Sequence, residues 1–136
     1  MKQILWIIGS KSDMDQIQPG ISLMEEQNLS YDLKVLSAHR DLPELSAFLE
    51  AHEKEYSVII TAAGLSAALP GVVAAMTTRP VLGIPLVAGS LSGIDALLSI
   101  LQLPKGIPCA TMGIGKQGVL NAVHLAKRII DLAEDK

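Results

Sequence analysis

The sequence has little that would serve a disulfide, a thiolate metal site or a nucleic-acid surface. It holds one cysteine, Cys109, in 136 residues, which excludes an internal disulfide and any site built from two thiolates. Lysine and arginine number 11 against 14 acidic residues, a net charge of −3. No basic run is present, so we predict no nucleic-acid partner. The three histidines, His39, His52 and His124, show no ligand spacing, and we predict no bound metal.

Charged and aromatic residues are also scarce. They make up 18% and 3% of the chain, whereas 49% of the residues are hydrophobic. So few charges leave little to cover the surface of a monomer, which favours extensive burial between subunits. The alternative is a compact α/β core in which helices cover both faces of the sheet. The length predicts a single domain over residues 1–136.

One uncharged stretch, residues 57–78, is long enough to cross a bilayer. Gly64, Pro70 and Gly71 interrupt it, and β-branched residues cluster at its start. A buried strand followed by a small-residue loop and a helix therefore explains it better. The first apolar run is too short for a signal peptide. We predict a cytoplasmic protein without a membrane partner.

Apolar runs alternate with helical patterns along the whole chain, as is typical of parallel strands buried on both faces. We predict a three-layer αβα sandwich with a flavodoxin-like parallel sheet in the order 2-1-3-4-5. Pro19 and Gly20 should kink or split the first helix, because proline lacks a backbone donor. The predicted strands are residues 3–8, 31–36, 58–62, 81–84 and 108–113, and the predicted helices cover about 12–27, 93–102 and 116–134 or begin near 42 and 67–70.

A polar segment follows the first predicted strand and contains Ser10, Ser12 and Asp13. In this fold class, ligands bind at the carboxyl edge of the sheet near the switch point, here between strands 1 and 3. Free backbone amides at a helix start, together with two hydroxyls, are suited to a phosphate, and Asp13 is able to accept hydrogen bonds from sugar hydroxyls. The alternative is helix capping, with Ser12 as the N-cap and Asp13 favourable to the dipole.

Two more segments reach the same edge. His39 and Arg40 follow strand 2, where a guanidinium can bind phosphate or carboxylate and an imidazole can move protons. A surface loop with a polar pair is the alternative. The small-residue loop 62–71 follows strand 3, and its backbone can approach a ligand closely. Tight packing of helix on sheet would explain that loop equally well.

Two further patterns carry less weight. Residues 113–118 match G-x-G-x-x-G, but no strand follows them, as a dinucleotide site requires. Ser66, Asp95 and His124 follow the order of a hydrolase triad. His124, however, shares a polar helical stripe with neighbours that indicate a solvated face, and a serine hydrolase remains a remote alternative.

Taken together, these segments resemble the PurE family of purine biosynthesis. Asn121-Ala122 in the last helix also fits, and the match covers nearly the whole chain in order. The stretches that carry the resemblance are Gly9-Ser10-Lys11-Ser12-Asp13, Ser37-Ala38-His39-Arg40, the loop from Ala63-Gly64 to Leu69-Pro70-Gly71, Leu91-Ser92-Gly93-Ile94-Asp95, and Gln102-Leu103-Pro104-Lys105-Gly106-Ile107-Pro108.

The resemblance implies an enzyme that acts on an aminoimidazole ribonucleotide without metal, ATP or biotin, usually as a homo-octamer with sites at subunit boundaries. Its mutase branch moves a carboxylate from the exocyclic nitrogen of 5-(carboxyamino)imidazole ribonucleotide to the ring carbon through trapped CO2. By the same resemblance, His39 is the proton shuttle. The expected ribose-phosphate site comprises Ser10, Asp13 and Arg40 with Ser12 and Ser37 in support, and the expected wall of the CO2 pocket comprises Ala63, Gly64, Ser66, Ala67 and Leu69.

The loop also departs from the mutase pattern. Ala68 stands where the mutase branch has a histidine, and Ser66 with Ala68 is more like the branch that carboxylates aminoimidazole ribonucleotide with free CO2. Arg40 and Pro70 are mutase-like. The mutase is the leading interpretation and the carboxylase its alternative. A flavin carrier or receiver domain is a different class, but Trp6 is badly placed for flavin stacking and no aspartate ends strand 3.

Overall fold

The computed structural model describes residues 2–135. Strands and helices alternate along the chain. One 3-10 turn precedes the first α-helix, and another follows the second. The elements are β1 (Ile4–Ile8), a 3-10 turn (Lys11–Asp13), α1 (Met14–Glu26), β2 (Tyr31–Val35), α2 (Leu42–His52), a 3-10 turn (Glu53–Glu55), β3 (Val58–Ala63), α3 (Leu69–Met76), β4 (Val81–Pro85), α4 (Ile94–Leu101), β5 (Ala110–Thr111) and α5 (Gly115–Glu134).

All neighbouring strands pair in parallel, in the order β2-β1-β3-β4-β5. The predicted sheet order is therefore confirmed. Ile8 lies opposite Val35 on one side and Ala62 on the other, so β1, β2 and β3 end at the same level. The segments that follow these strands consequently start next to one another at one edge of the sheet.

Helices cover both faces of the sheet. Alternate residues of β1 divide between two cores: Trp6 packs with α1 and α5, whereas Leu5 and Ile7 pack with α2 and α3. Every residue of β1, β3 and β4 is buried, as expected for parallel strands with helices on both sides. Burial of these side chains, most of them aliphatic, therefore stabilises the sheet.

The uncharged stretch 57–78 forms β3, the following loop and α3, as predicted. Among residues 2–135, no helix is long and apolar enough to cross a membrane. That part of the chain also contains no group of three His, Cys, Asp or Glu side chains placed to hold a metal ion.

The predicted split of the first helix is wrong, because α1 runs through Pro19 as one helix. Packing compensates for the donor that proline removes. Ile17 and Ile21 are buried on either side of it, and a Cβ at Gly20 would lie 2.6 Å from Cη2 of Trp6. The bare glycine thus lets the helix lie directly on the indole.

The fifth strand is much shorter than residues 108–113, since only Ala110 and Thr111 pair with β4. Pro108 has no backbone N–H with which to extend the ladder. On the other side, Gly113 turns the chain away at a φ of +126°. An edge strand with these two flanks can make only a short pairing.

Candidate functional site

A cavity of about 660 Å³ opens at the carboxyl ends of the first four strands. All eleven residues predicted for the site line it, which places the cavity at the switch point between β1 and β3. They are Ser10, Ser12, Asp13, Ser37, His39, Arg40, Ala63, Gly64, Ser66, Ala67 and Leu69, joined by Gly9, Ala38, Leu65, Ala68 and Ala88.

The segment after β1 offers hydroxyls at the mouth of the cavity. Oγ of Ser10 accepts a hydrogen bond from the amide of Ser12 at 3.3 Å and lies 2.9 Å from Oγ of Ser12. The N-cap of this turn is therefore Ser10, and the capping role considered for Ser12 is wrong. Ser12 itself is exposed, so its hydroxyl remains accessible to a ligand.

Asp13 lies half-buried where the 3-10 turn meets α1. Burial raises the pKa of its carboxyl, and hydrogen bonding to the Ser10 backbone partly opposes this rise. Its side chain makes no capping bond to α1. A partly desolvated carboxylate of this kind is suited to accept hydrogen bonds from ligand hydroxyls, since they would replace the water it has lost.

The segment after β2 is built around the hydroxyl of Ser37, a side chain only 7% exposed. Oγ of Ser37 accepts hydrogen bonds from the amides of His39 at 3.3 Å and Arg40 at 3.2 Å. The amide of Ser37 in turn donates to Oδ2 of Asp41 at 2.9 Å. The backbone is thus fixed while the His39 and Arg40 side chains stay exposed, ready to contact a ligand.

The loop after β3 forms an uncharged wall. Ala67 and Leu69 are buried, whereas Leu65 is 56% exposed and adopts a left-handed φ of +59°. A Cβ at Gly64 would lie 2.8 Å from Cβ of Ala88, so only glycine allows the loops after β3 and β4 to approach this closely. The wall can enclose a small neutral molecule but offers it few polar contacts.

Sequence reasoning missed three residues that shape the site. Ala88 lines the cavity, and Asp41 and Gln16 hold loops that border it. Asp41 had a detectable signal, since an acidic residue just before Leu42-Pro43 is typical of a helix start. Gln16 carried no signal, because its partner lies 71 residues away.

The remote hydrolase triad is not assembled. Ser66 lines the cavity, but α4 with Asp95 and α5 with His124 cover opposite faces of the sheet. His124 is exposed on α5 together with Gln117, Asn121 and Arg128, as its polar stripe predicted. Cys109 is no better as a nucleophile, because burial raises the pKa of its thiol to about 11.

Comparisons with known proteins agree with these motifs. The sequence profile of the AIR carboxylase family matches residues 3–136. A protein of Haemophilus influenzae named N5-carboxyaminoimidazole ribonucleotide mutase is 46% identical over 129 residues, which are 94% of this chain and 79% of that protein. Its namesake in Bacillus subtilis is 43% identical over 130 residues, which are 95% of this chain and 80% of that protein.

The fold agrees as well. A crystal structure of Treponema denticola PurE matches with a TM-score of 0.84 at 29% sequence identity, covering 96% of this chain and 80% of that one. With a family profile over nearly the whole sequence and relatives above 40% identity, the chain belongs to the AIR carboxylase family, the PurE family that its motifs resemble.

Proposed function

We propose that the protein is a 5-(carboxyamino)imidazole ribonucleotide mutase of purine biosynthesis. It would move the carboxylate from the exocyclic nitrogen to the ring carbon and release 4-carboxy-5-aminoimidazole ribonucleotide. The observation that carries the proposal is a single cavity that combines hydroxyls, a guanidinium and an imidazole with an uncharged wall. The mutase names of its relatives support the same reaction.

In this proposal, one side of the cavity binds the ribose phosphate. The guanidinium of Arg40 donates charge-assisted hydrogen bonds to the phosphate, and Ser10 and Ser12 supply hydroxyls near a helix start. Asp13 accepts hydrogen bonds from the ribose hydroxyls. Ser37 contributes mainly by fixing the backbone of Arg40 and His39. This division of roles lets the nucleotide present its imidazole ring to His39.

His39 transfers protons while the carboxylate moves from the exocyclic nitrogen to the ring carbon. As the bond from the exocyclic nitrogen to the carboxylate carbon breaks, the imidazolium of His39 gives that nitrogen a proton and CO2 is released into the cavity. The ring carbon then forms a bond to CO2. The neutral imidazole takes the proton that this carbon loses, which returns His39 to its starting state. No proton is gained or lost overall.

The uncharged wall would keep CO2 in place between the two steps. Carbon dioxide has no charge and accepts only weak hydrogen bonds, so shape and exclusion of water must retain it. The loop around Gly64, Ala67 and Leu69 provides a surface of this type, bordered by Ser66 and Ala63. The residues need no metal or organic cofactor for this chemistry.

Turnover assays test the proposal directly. The purified protein should convert 5-(carboxyamino)imidazole ribonucleotide to the carbon-carboxylated product without ATP, biotin or added metal. Failure to consume this substrate would contradict the proposal. The alternative is carboxylation of aminoimidazole ribonucleotide by free CO2, which Ser66 and Ala68 favour. With alanine at position 68, His39 is the only imidazole among the described residues that line the cavity.

A cytoplasmic homo-oligomer, an octamer as the family resemblance implies, completes the proposal. An apolar stripe supports it: Leu91, Ile94, Leu98 and Leu101 recur at helical spacing around α4, and each is more than half exposed. Light scattering should give a mass eight times the 14.4 kDa of one chain. A monomer at micromolar concentration would contradict the octamer.

A further inference from the structure

The side chain of Gln16 is joined to the backbone of a residue far along the chain. Its Oε1 accepts a hydrogen bond from the amide of Val87 at 2.9 Å, and its Nε2 donates to the carbonyl of Val87 at 2.9 Å. Just before this point, the amide of Leu86 still donates to the carbonyl of Ala63. The side-chain amide of Gln16 therefore takes the place of β3 as the hydrogen-bonding partner where the chain leaves β4.

The residues after Val87 form part of the cavity wall. Ala88 lines the cavity, and its Cβ lies 2.8 Å from where a Cβ on Gly64 would be. A Cβ on Gly89 would lie 2.7 Å from Cδ2 of Leu65. The segment 87–89 thus rests directly on the loop that would retain CO2, and moving Val87 would change the gap between the two.

Among the described residues, the hydrogen bonds to the segment 87–89 come from Gln16 alone. Val87 is 47% exposed, and Gly89 adopts a left-handed φ of +70°. Two hydrogen bonds to one peptide unit fix both its position and its orientation, because the side-chain amide is planar. They do so without adding a polar group to the uncharged wall.

We infer that Gln16 is a positioning residue that keeps the loop after β4 closed against the loop after β3 and so limits the escape of CO2. The inference rests on the proposed function. It concerns the partition of CO2 between recapture by the ring carbon and loss to solvent, rather than the binding of the nucleotide. Its effect should therefore appear in retention of the carboxylate more than in KM.

Gln16→Met tests this role, because methionine keeps the length of the side chain and removes both hydrogen bonds. Gln18→Met is the matched control, since Gln18 is exposed on the same helix. With substrate labelled in its carboxylate and unlabelled bicarbonate in solution, Q16M should lose at least about fivefold more label than wild type, with KM changed less than about twofold. Q18M should match wild type.

Hydrogen exchange supplies a readout that does not depend on activity. The amide of Val87 should exchange at least about tenfold faster in Q16M than in wild type or Q18M. Gln16→Glu keeps the acceptor but not the donor and should fall between, which provides a second variant if Q16M folds poorly. Unchanged exchange at Val87, or unchanged label retention in an active Q16M, would overturn the inference. Absence of turnover in wild type would instead overturn the proposed function, and the exchange result would still decide the role of Gln16.

Discussion

Ser37 and Asp41 exchange two hydrogen bonds across the segment that carries His39 and Arg40. The amide of Ser37 donates to Oδ2 of Asp41 at 2.9 Å, and the amide of Asp41 donates to the carbonyl of Ser37 at 2.8 Å. Between them, Oγ of Ser37 accepts from the amides of His39 and Arg40. The backbone that presents both functional side chains is therefore fixed at either end before any ligand binds.

These two hydrogen bonds predict that Asp41 affects catalysis without contacting the substrate. Asp41→Ala removes the acceptor for the amide of Ser37, and we expect kcat/KM to fall about 10- to 100-fold because His39 and Arg40 lose their alignment. Asp41→Asn retains an acceptor oxygen and should recover most of the activity. Steady-state kinetics on both variants check this, and wild-type kcat/KM in D41A would contradict it.

Substitution of His39 should impair the chemical step, whereas substitution of Arg40 should impair binding. His39→Asn should lower kcat by about 100- to 10,000-fold through loss of proton transfer, while the nucleotide still binds. Arg40→Ala should instead weaken binding by about 1.5–3 kcal/mol through loss of a charge-assisted contact. Isothermal titration beside kinetics measures both effects. Retained turnover in H39N would exclude the proton-shuttle role.

The charged carboxylate of Asp13 should destabilise the folded state at neutral pH. Its folded-state pKa is raised above 3.8 by burial, so the native state favours the protonated carboxyl. The penalty for the charged form is present above the folded pKa, and it is relieved as pH falls through that value towards the unfolded one. Asp13→Asn carries no such charge.

The free energy of unfolding of D13N minus that of wild type should therefore be larger at about pH 7 than at about pH 3. At the same time, its kcat/KM should fall, because the amide is a weaker acceptor for ribose hydroxyls. Denaturant unfolding at the two pH values checks the first part. An advantage for D13N that is larger at the lower pH would contradict the assignment.

The glycine motif of residues 113–118 should prove to be a packing device. A Cβ at Gly118 would overlap the carbonyl of Gly113, and backbone there cannot easily move aside. Gly118→Ala should destabilise the fold by at least about 2 kcal/mol, although alanine favours helices by about 1 kcal/mol. Gln117→Ala, exposed one residue earlier, should change stability by less than about 0.5 kcal/mol.

The sequence was sufficient for the sheet order because buried parallel strands read as apolar runs, and right-handed crossovers leave few arrangements of five βα units. The sequence was also sufficient to predict that the cavity residues lie together, since the carboxyl ends of β1, β2 and β3 meet at one edge. It was insufficient where a distant contact decides the outcome. The continuity of α1 through Pro19 depends on the fit of Gly20 against Trp6, and the role of Gln16 depends on a loop 71 residues away.

The most direct test of the central claim follows the carboxylate itself. The purified protein is given 5-(carboxyamino)imidazole ribonucleotide labelled in its carboxylate, with unlabelled bicarbonate present. The mutase predicts that most of the label appears on the ring carbon of the product. Product that carries mostly unlabelled carboxylate, formed equally well from aminoimidazole ribonucleotide and CO2, would contradict the mutase and assign the protein to the carboxylase branch.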